Sequence, residues 1–192
     1  MTKILFATLA ASLVVLPAAA LAQALPAPVI AVVDVQRATS SCNACKTALT
    51  QLETQFNGIK ALQTSLEGPL RTEAAALQSA AGALNGRAPD AALQARATAF
   101  QKKQDDAQRQ MATREQTFQR NRAYVLQQIG AKLDPAVGSV MTKRGANVML
   151  DAANVVRAAN SVDVTNDVIA ALNATVTTLS VTAPAQAAPT RR

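Results

Sequence analysis

An α+β fold is expected, with a long antiparallel helical coiled-coil hairpin standing on a small three-strand β body. Three observations predict it. The run VIAVVDV at 29–35 is short, β-branched and bounded by turn-forming residues, as a strand should be. From Leu49 to Leu84 apolar residues recur in steps of three or four, and ten steps cover 35 residues. The mean of 3.5 is the coiled-coil period and not that of a straight amphipathic helix. The stretch LNGRAPDAAL at 84–93 stops this pattern with Asn85, Gly86 and Pro89, and Asp90 can cap a second helix, which makes a hairpin tip near 85–90.

Ahead of the strand, residues 1–22 read as an export signal. Lys3 precedes the apolar run Ile4 to Leu16, Pro17 closes it, and Ala20 and Ala22 fill the small positions of an A-x-A cleavage site. The run is shorter than the about 20 residues a membrane span needs. Cleavage after Ala22 is therefore expected, leaving a chain that starts at Gln23 in an exported, oxidising space. Residues 23–38 then hold the spacer QALPAP and the first strand.

The arm is expected over 39–133. Its first helix places Leu49, Leu52, Phe56, Ile59, Leu62, Leu66, Leu70, Ala74, Leu77, Ala81 and Leu84 on one seam, with a local kink at Gly68 and Pro69. The second helix repeats the spacing through Leu93, Ala97, Phe100, Gln104, Ala107, Met111, Arg114 and Phe118, a seam diluted by a glutamine and an arginine. In the body at 134–173, the runs ANVML and NVVRA are expected to pair as a hairpin. Thr165 can then cap a short helix with Asp167 in its positive first turn. Residues 174–192, rich in Thr, Ala and Pro, are expected to be a disordered tail.

Composition removes most enzyme chemistries. Without histidine there is no Ser-His-Asp or Cys-His nucleophile system and no histidine-ligated zinc, and two cysteines alone cannot close a structural zinc site. The glycines form no phosphate-cradling loop. The chain is read as non-enzymatic, without cofactor or metal. Charge points instead to a kind of partner: beyond the signal, eighteen basic residues stand against twelve acids, and 96–122 alone holds seven bases and three acids. These are Arg96, Lys102, Lys103, Arg109, Arg114, Arg120 and Arg122, and they are the candidate client-binding residues. Lys102, Arg109 and Arg120 share the face opposite the seam, with Asp105 and Arg109 spaced as an i,i+4 pair. Aromatics are not interleaved with the basic run, so no nucleic-acid partner is expected. Acidic proteins and anionic lipid surfaces fit better.

The only cysteines, Cys42 and Cys45, stand in SCNACK at the first turns of the long helix. At that spacing they can form a strained local disulfide, with the helix N-terminus lowering one thiol's pKa. A thioredoxin-like enzyme needs a βαβ unit around the motif, and the heptads contradict one. A structural or adventitious pair is favoured over a redox centre.

The motifs IAVVDVQRA at 30–38, NVMLDAANVV at 147–156 and VDVTNDVIAALN at 162–173, in this order around a heptad hairpin, resemble the OmpH family of periplasmic chaperones, also called Skp. The cysteine pair departs from that family's pattern. The resemblance implies a homotrimer with a shared β-barrel and arms that hold unfolded outer-membrane proteins. Association is also expected physically, because so small a body and so thin a hairpin leave strand edges and apolar faces uncovered. Val32, Val33, Val148 and Leu150 are expected to lack partners within one chain. The function expected from the resemblance is that of a periplasmic ATP-independent holdase. The alternatives are a periplasmic thiol-disulfide protein using Cys42 and Cys45, and a passive coiled-coil envelope scaffold.

Overall fold

The computed structural model describes residues 25–185, so the expected signal segment and its cleavage site lie outside the described residues. Strand β1 (Ile30–Val33) leads through Asp34 into helix α1 (Val35–Ser41). The expected seven-residue strand is cut to four because the Asp34 carboxylate accepts a hydrogen bond from the Arg37 backbone N–H and starts a helix there. After a break at Cys42 come the two arm helices, α2 (Asn43–Gly82) and α3 (Ala91–Arg144), about 60 and 81 Å long at 1.5 Å per residue. Asn85 and Gly86, both at positive φ, turn the chain at the tip, and Asp90 caps α3 by accepting from the Leu93 N–H at 2.8 Å.

α3 does not stop at 133 but runs through Pro135 to Arg144. Val125, Ile129, Ala136 and Val140 form one buried stripe at helical spacing. Packing of that stripe outweighs the helix-interior cost of a proline, roughly 3 kcal/mol. Gly145, at φ 65°, ends the helix, with the Ala146 N–H donating to the Met141 carbonyl in a Schellman closure. Pro69 likewise lies inside an unbroken α2.

Strand β2 (Val148–Asp151) pairs with β1 in parallel, Ile30 opposite Val148 and Val33 opposite Asp151. The expected hairpin between ANVML and NVVRA does not form. Asp151 accepts from the Ala153 N–H and turns the chain into a 3-10 turn (Ala152–Asn154), and Val156 is left fully exposed. The other side of β1 is taken by an isolated parallel bridge from Val32 to Asp163, so the sheet among the described residues has two strands and not three. Val32 and Val33, expected to lack partners, are buried within the chain; Val148 is half-buried, and Leu150 is exposed.

The last helix, α4 (Thr165–Thr175), packs Val168 and Leu172 against the base of the arms. Asp167 stands in its first turn and pairs with Arg144. Thr165 is not its cap. The Asp163 carboxylate accepts from both the backbone N–H and the hydroxyl of Thr165, and the buried Thr165 hydroxyl oxygen accepts from the Asp34 N–H at 2.9 Å. These bonds stitch the strand-to-helix junction to α4. They also hold the Asp163 carboxyl below the usual carboxylate range, the Thr165 hydroxyl first and its N–H second, with nearby Arg37 adding to the effect.

A depressed folded pKa means that the unfolded chain takes up protons first as pH falls. This stabilisation is thus full above the ordinary carboxylate pKa and is lost as pH drops through the lower, folded value. Asp163→Asn is expected to remove it, so that urea midpoints of variant and natural protein converge between neutral and acid pH. Parallel curves across that range would mean that Asp163 contributes no titrating stability.

Candidate functional site

Apart from Ile59 and Ala107 farther along the arms, the fully buried apolar residues lie at the base, where α1, α4 and the lower arms meet. Between Ile59 and Ala107 the described arm has no fully buried residue. A two-helix hairpin has no second layer, so Leu62, Leu66, Leu70, Leu77 and Phe100 remain half-buried. Leu66, Leu70, Ala107 and Met111 line an open groove of about 500 Å³ between the helices. Closer to the base a second groove of about 430 Å³ is walled by Ile59, Leu62 and Phe118.

The seam departs from the heptad expectation at one layer. Phe56 turns outward, 42% exposed, where its ring meets Phe118 at 5.6 Å and Lys60 sits 4.5 Å above it. Gln55 takes the inward place, and its side-chain oxygen accepts from the amide of buried Asn121 at 2.9 Å. A polar pair inside an apolar seam fixes helix register.

The same amides hold the C-terminal segment. In place of the disordered tail expected from residue 174, α4 runs to Thr175 and residues 176–185 form a strap across the base of the arms. The Gln128 side chain pairs with both the N–H and the carbonyl of Ser180, at 3.0 and 2.8 Å. Gln55 donates to the Val181 carbonyl at 3.2 Å, and Asn121 accepts from the Ala183 N–H at 2.9 Å. Composition hid this strap. The alternation Leu179, Ser180, Val181, Thr182, Ala183 was the signal that could have found it.

The seven basic residues are spread along α3. Arg96 and Lys103 both pair with Glu73 on α2, at 3.6 and 3.2 Å, and so tie the arms together. Arg109 pairs with Asp106, one residue from the expected Asp105, which accepts instead from Gln101. Arg114 borders the groove at Leu62. Arg120 is half-buried, and its Nε is enclosed without a hydrogen-bond partner among the described residues. Lys102 and Arg122 are exposed and form no ion pair among the described residues.

Cys42 and Cys45 are joined in a disulfide, and both residues are buried, 0% and 1% exposed. The pair spans the break between α1 and α2: Cys42 has extended backbone, its sulfur accepts from the Cys45 N–H, and Asn173 of α4 accepts from the Asn43 N–H. Its place is structural. Cys42→Ser with Cys45→Ala keeps an acceptor at the cap and removes only the crosslink. For so short a loop this is expected to cost about 2 kcal/mol by the chain-entropy relation. Urea melts of the variant and the natural protein check it, and an unchanged midpoint would show the bond to be superfluous.

Among the described residues no helix is long and apolar enough to cross a membrane. No curated protein matches the chain. The chain is similar to the crystal structure of an OmpH-like outer membrane chaperone from Caulobacter crescentus CB15, with 25% identity and a TM-score of 0.67, over 82% of this chain and 90% of that one. The family model for outer membrane protein (OmpH-like) matches residues 29–172, and the chain belongs to that family.

Proposed function

We propose that the chain is a periplasmic, ATP-independent holdase that keeps unfolded outer-membrane proteins from aggregating between the arms of a homotrimer. The observation that carries this reading is the arm itself. Beyond Ile59 it exposes a line of half-buried leucines and an open groove in which Leu66, Leu70, Ala107 and Met111 stand among glutamines and glutamates, surface that an unfolded chain can cover without any chemical step. Family membership and likeness to an outer membrane chaperone support the same reading. The thiol-disulfide alternative is disfavoured by the burial of both cysteines. A passive scaffold has no use for leucines left half-buried along an open arm. The test is light scattering by a urea-denatured outer-membrane barrel diluted into the mature protein without nucleotide. Suppressed scattering is expected at stoichiometric trimer, and undiminished scattering would refute holding.

The basic residues of α3 supply long-range attraction to acidic unfolded chains, and an anionic lipid surface is a second partner of the same charge. Lys102, Arg109 and Arg122 are exposed, whereas Arg120 is partly packed and is better left in place. Changing those three to Gln is expected to slow association with an acidic unfolded barrel several-fold at low salt and to flatten its salt dependence, since screening acts within about 8 Å at 0.15 M. Stopped-flow rates at two salt concentrations decide this. Equal rates and slopes would mean that the face is only solvated.

A further inference from the structure

The amide clamp at the base of the arms reads backbone. Gln128, Gln55 and Asn121 together make four hydrogen bonds to the main chain of Ser180, Val181 and Ala183 and none to a side chain of the strap. The strap presents its side chains with period two: Leu179, Val181 and Ala183 are half-buried, while Ser180 and Thr182 face solvent. Alternation of this kind is the pattern of a membrane-barrel strand. Past Val176, which is buried, no residue of 177–185 is fully buried. Ordering each of these residues costs backbone entropy, and each amide bond returns little net free energy. Where the strap passes Thr182, the groove walled by Ile59, Leu62 and Phe118 continues open.

We propose that this clamp is a docking site for a non-helical segment of unfolded barrel protein with alternating apolar residues, and that residues 177–185 of the chain occupy it as a displaceable stand-in. The proposal rests on the holding reading for the identity of the incoming chain. Recognition through backbone makes the site tolerant of sequence, and the alternating inward residues make it selective for strand-like segments. The tethered tail sets a threshold, because a guest must outcompete a segment at millimolar effective concentration.

The test uses a labelled peptide of sequence TTLSVTAPA, residues 177–185, and fluorescence anisotropy. The natural full-length protein is compared with Leu179→Ser/Val181→Ser, which loosens the strap, and with a chain ending at Thr177, which keeps Val176. Both variants are expected to bind the peptide about tenfold or more tightly than the natural protein, whose own tail competes. An alternating Leu-Gln peptide of equal length should displace the label, and a peptide of the same composition with its leucines clustered should not. Adding Gln55→Ala and Gln128→Ala to the loosened variant should abolish binding. Equal binding by natural and loosened proteins, or binding indifferent to the two glutamines, would overturn the proposal. Peptide binding as stated, with neither protein keeping a whole barrel soluble, would support the docking site and refute the holding reading.

Discussion

Removing two heptads from each arm is expected to leave a stable trimer that fails on large barrels before small ones. The structure shows which residues to take. Glu73 pairs with both Arg96 and Lys103 and so stands opposite their midpoint, which sets residues 66–79 of α2 opposite 93–106 of α3. Excising both stretches removes this ion-pair set as a unit and takes Pro69 out of α2 with it. The tip from Gly82 to Asp90 is kept, and Met111 moves into the seam position of Ala97 two heptads earlier. Nothing fully buried is lost, since the buried residues end at Ile59 and resume at Ala107, which stays in the shortened chain. The lost reach is about 21 Å of an arm about 60 Å long, so in the proposed trimer the arms would reach roughly a third less far. At equal trimer concentration, the largest barrel kept soluble should fall accordingly. A scaffold gives no reason for such size dependence. Equal capacity in the shortened protein would sink the enclosing-arm mechanism even if holding itself were real.

The arms were legible because their signal is repeated: eleven apolar positions at one period leave little room for another reading, and Asn85, Gly86 and Asp90 stand where the turn needs them. The heptads nevertheless placed Phe56 inward, since hydrophobicity alone ranks it above its neighbour. The buried amide pairing of Gln55 with Asn121 is a contact across the hairpin that no local pattern records. The body was less legible for the same reason. β1 and β2 are parallel and separated by the whole arm, so neither run announces its partner, and two adjacent apolar stretches suggested a hairpin. Asp151, at the end of β2, caps a turn in place of continuing the strand, and a short acidic side chain after a strand is a local signal that was available. The strap eluded a reading by composition because Thr, Ala and Pro mark disorder on average, whereas its fixed place depends on three amides from distant parts of the chain. Within the basic segment, sequence could not separate Arg96 and Lys103, which tie the arms together, from Lys102 and Arg122, which are open to solvent.

Dissociation into folded monomers is expected when Leu150 and Val156 are both changed to Asp. The sheet has only two strands, and Ile30, Leu150 and Val156 lie exposed on the body at 45%, 40% and 106%. β1 is flanked on both sides, by β2 and by the bridge to Asp163, so β2 keeps the open edge. An open edge beside large exposed apolar side chains is surface that a second copy of the chain can cover. In the proposed trimer each substitution would enter every interface, and an unpaired carboxylate buried at an interface costs several kcal/mol. Neither Leu150 nor Val156 belongs to the core of one protomer, so helical content and the urea transition of the monomer should survive. Val33→Asp is the contrasting control. At 2% exposure Val33 is packed within its own chain, and its replacement should unfold the protomer instead of separating protomers. Analytical ultracentrifugation with circular dichroism distinguishes the two outcomes. A natural protein that sediments as a folded monomer, or a Leu150→Asp/Val156→Asp variant that remains trimeric, would remove this face from the interface, and the shared barrel would have to be abandoned or built on another edge.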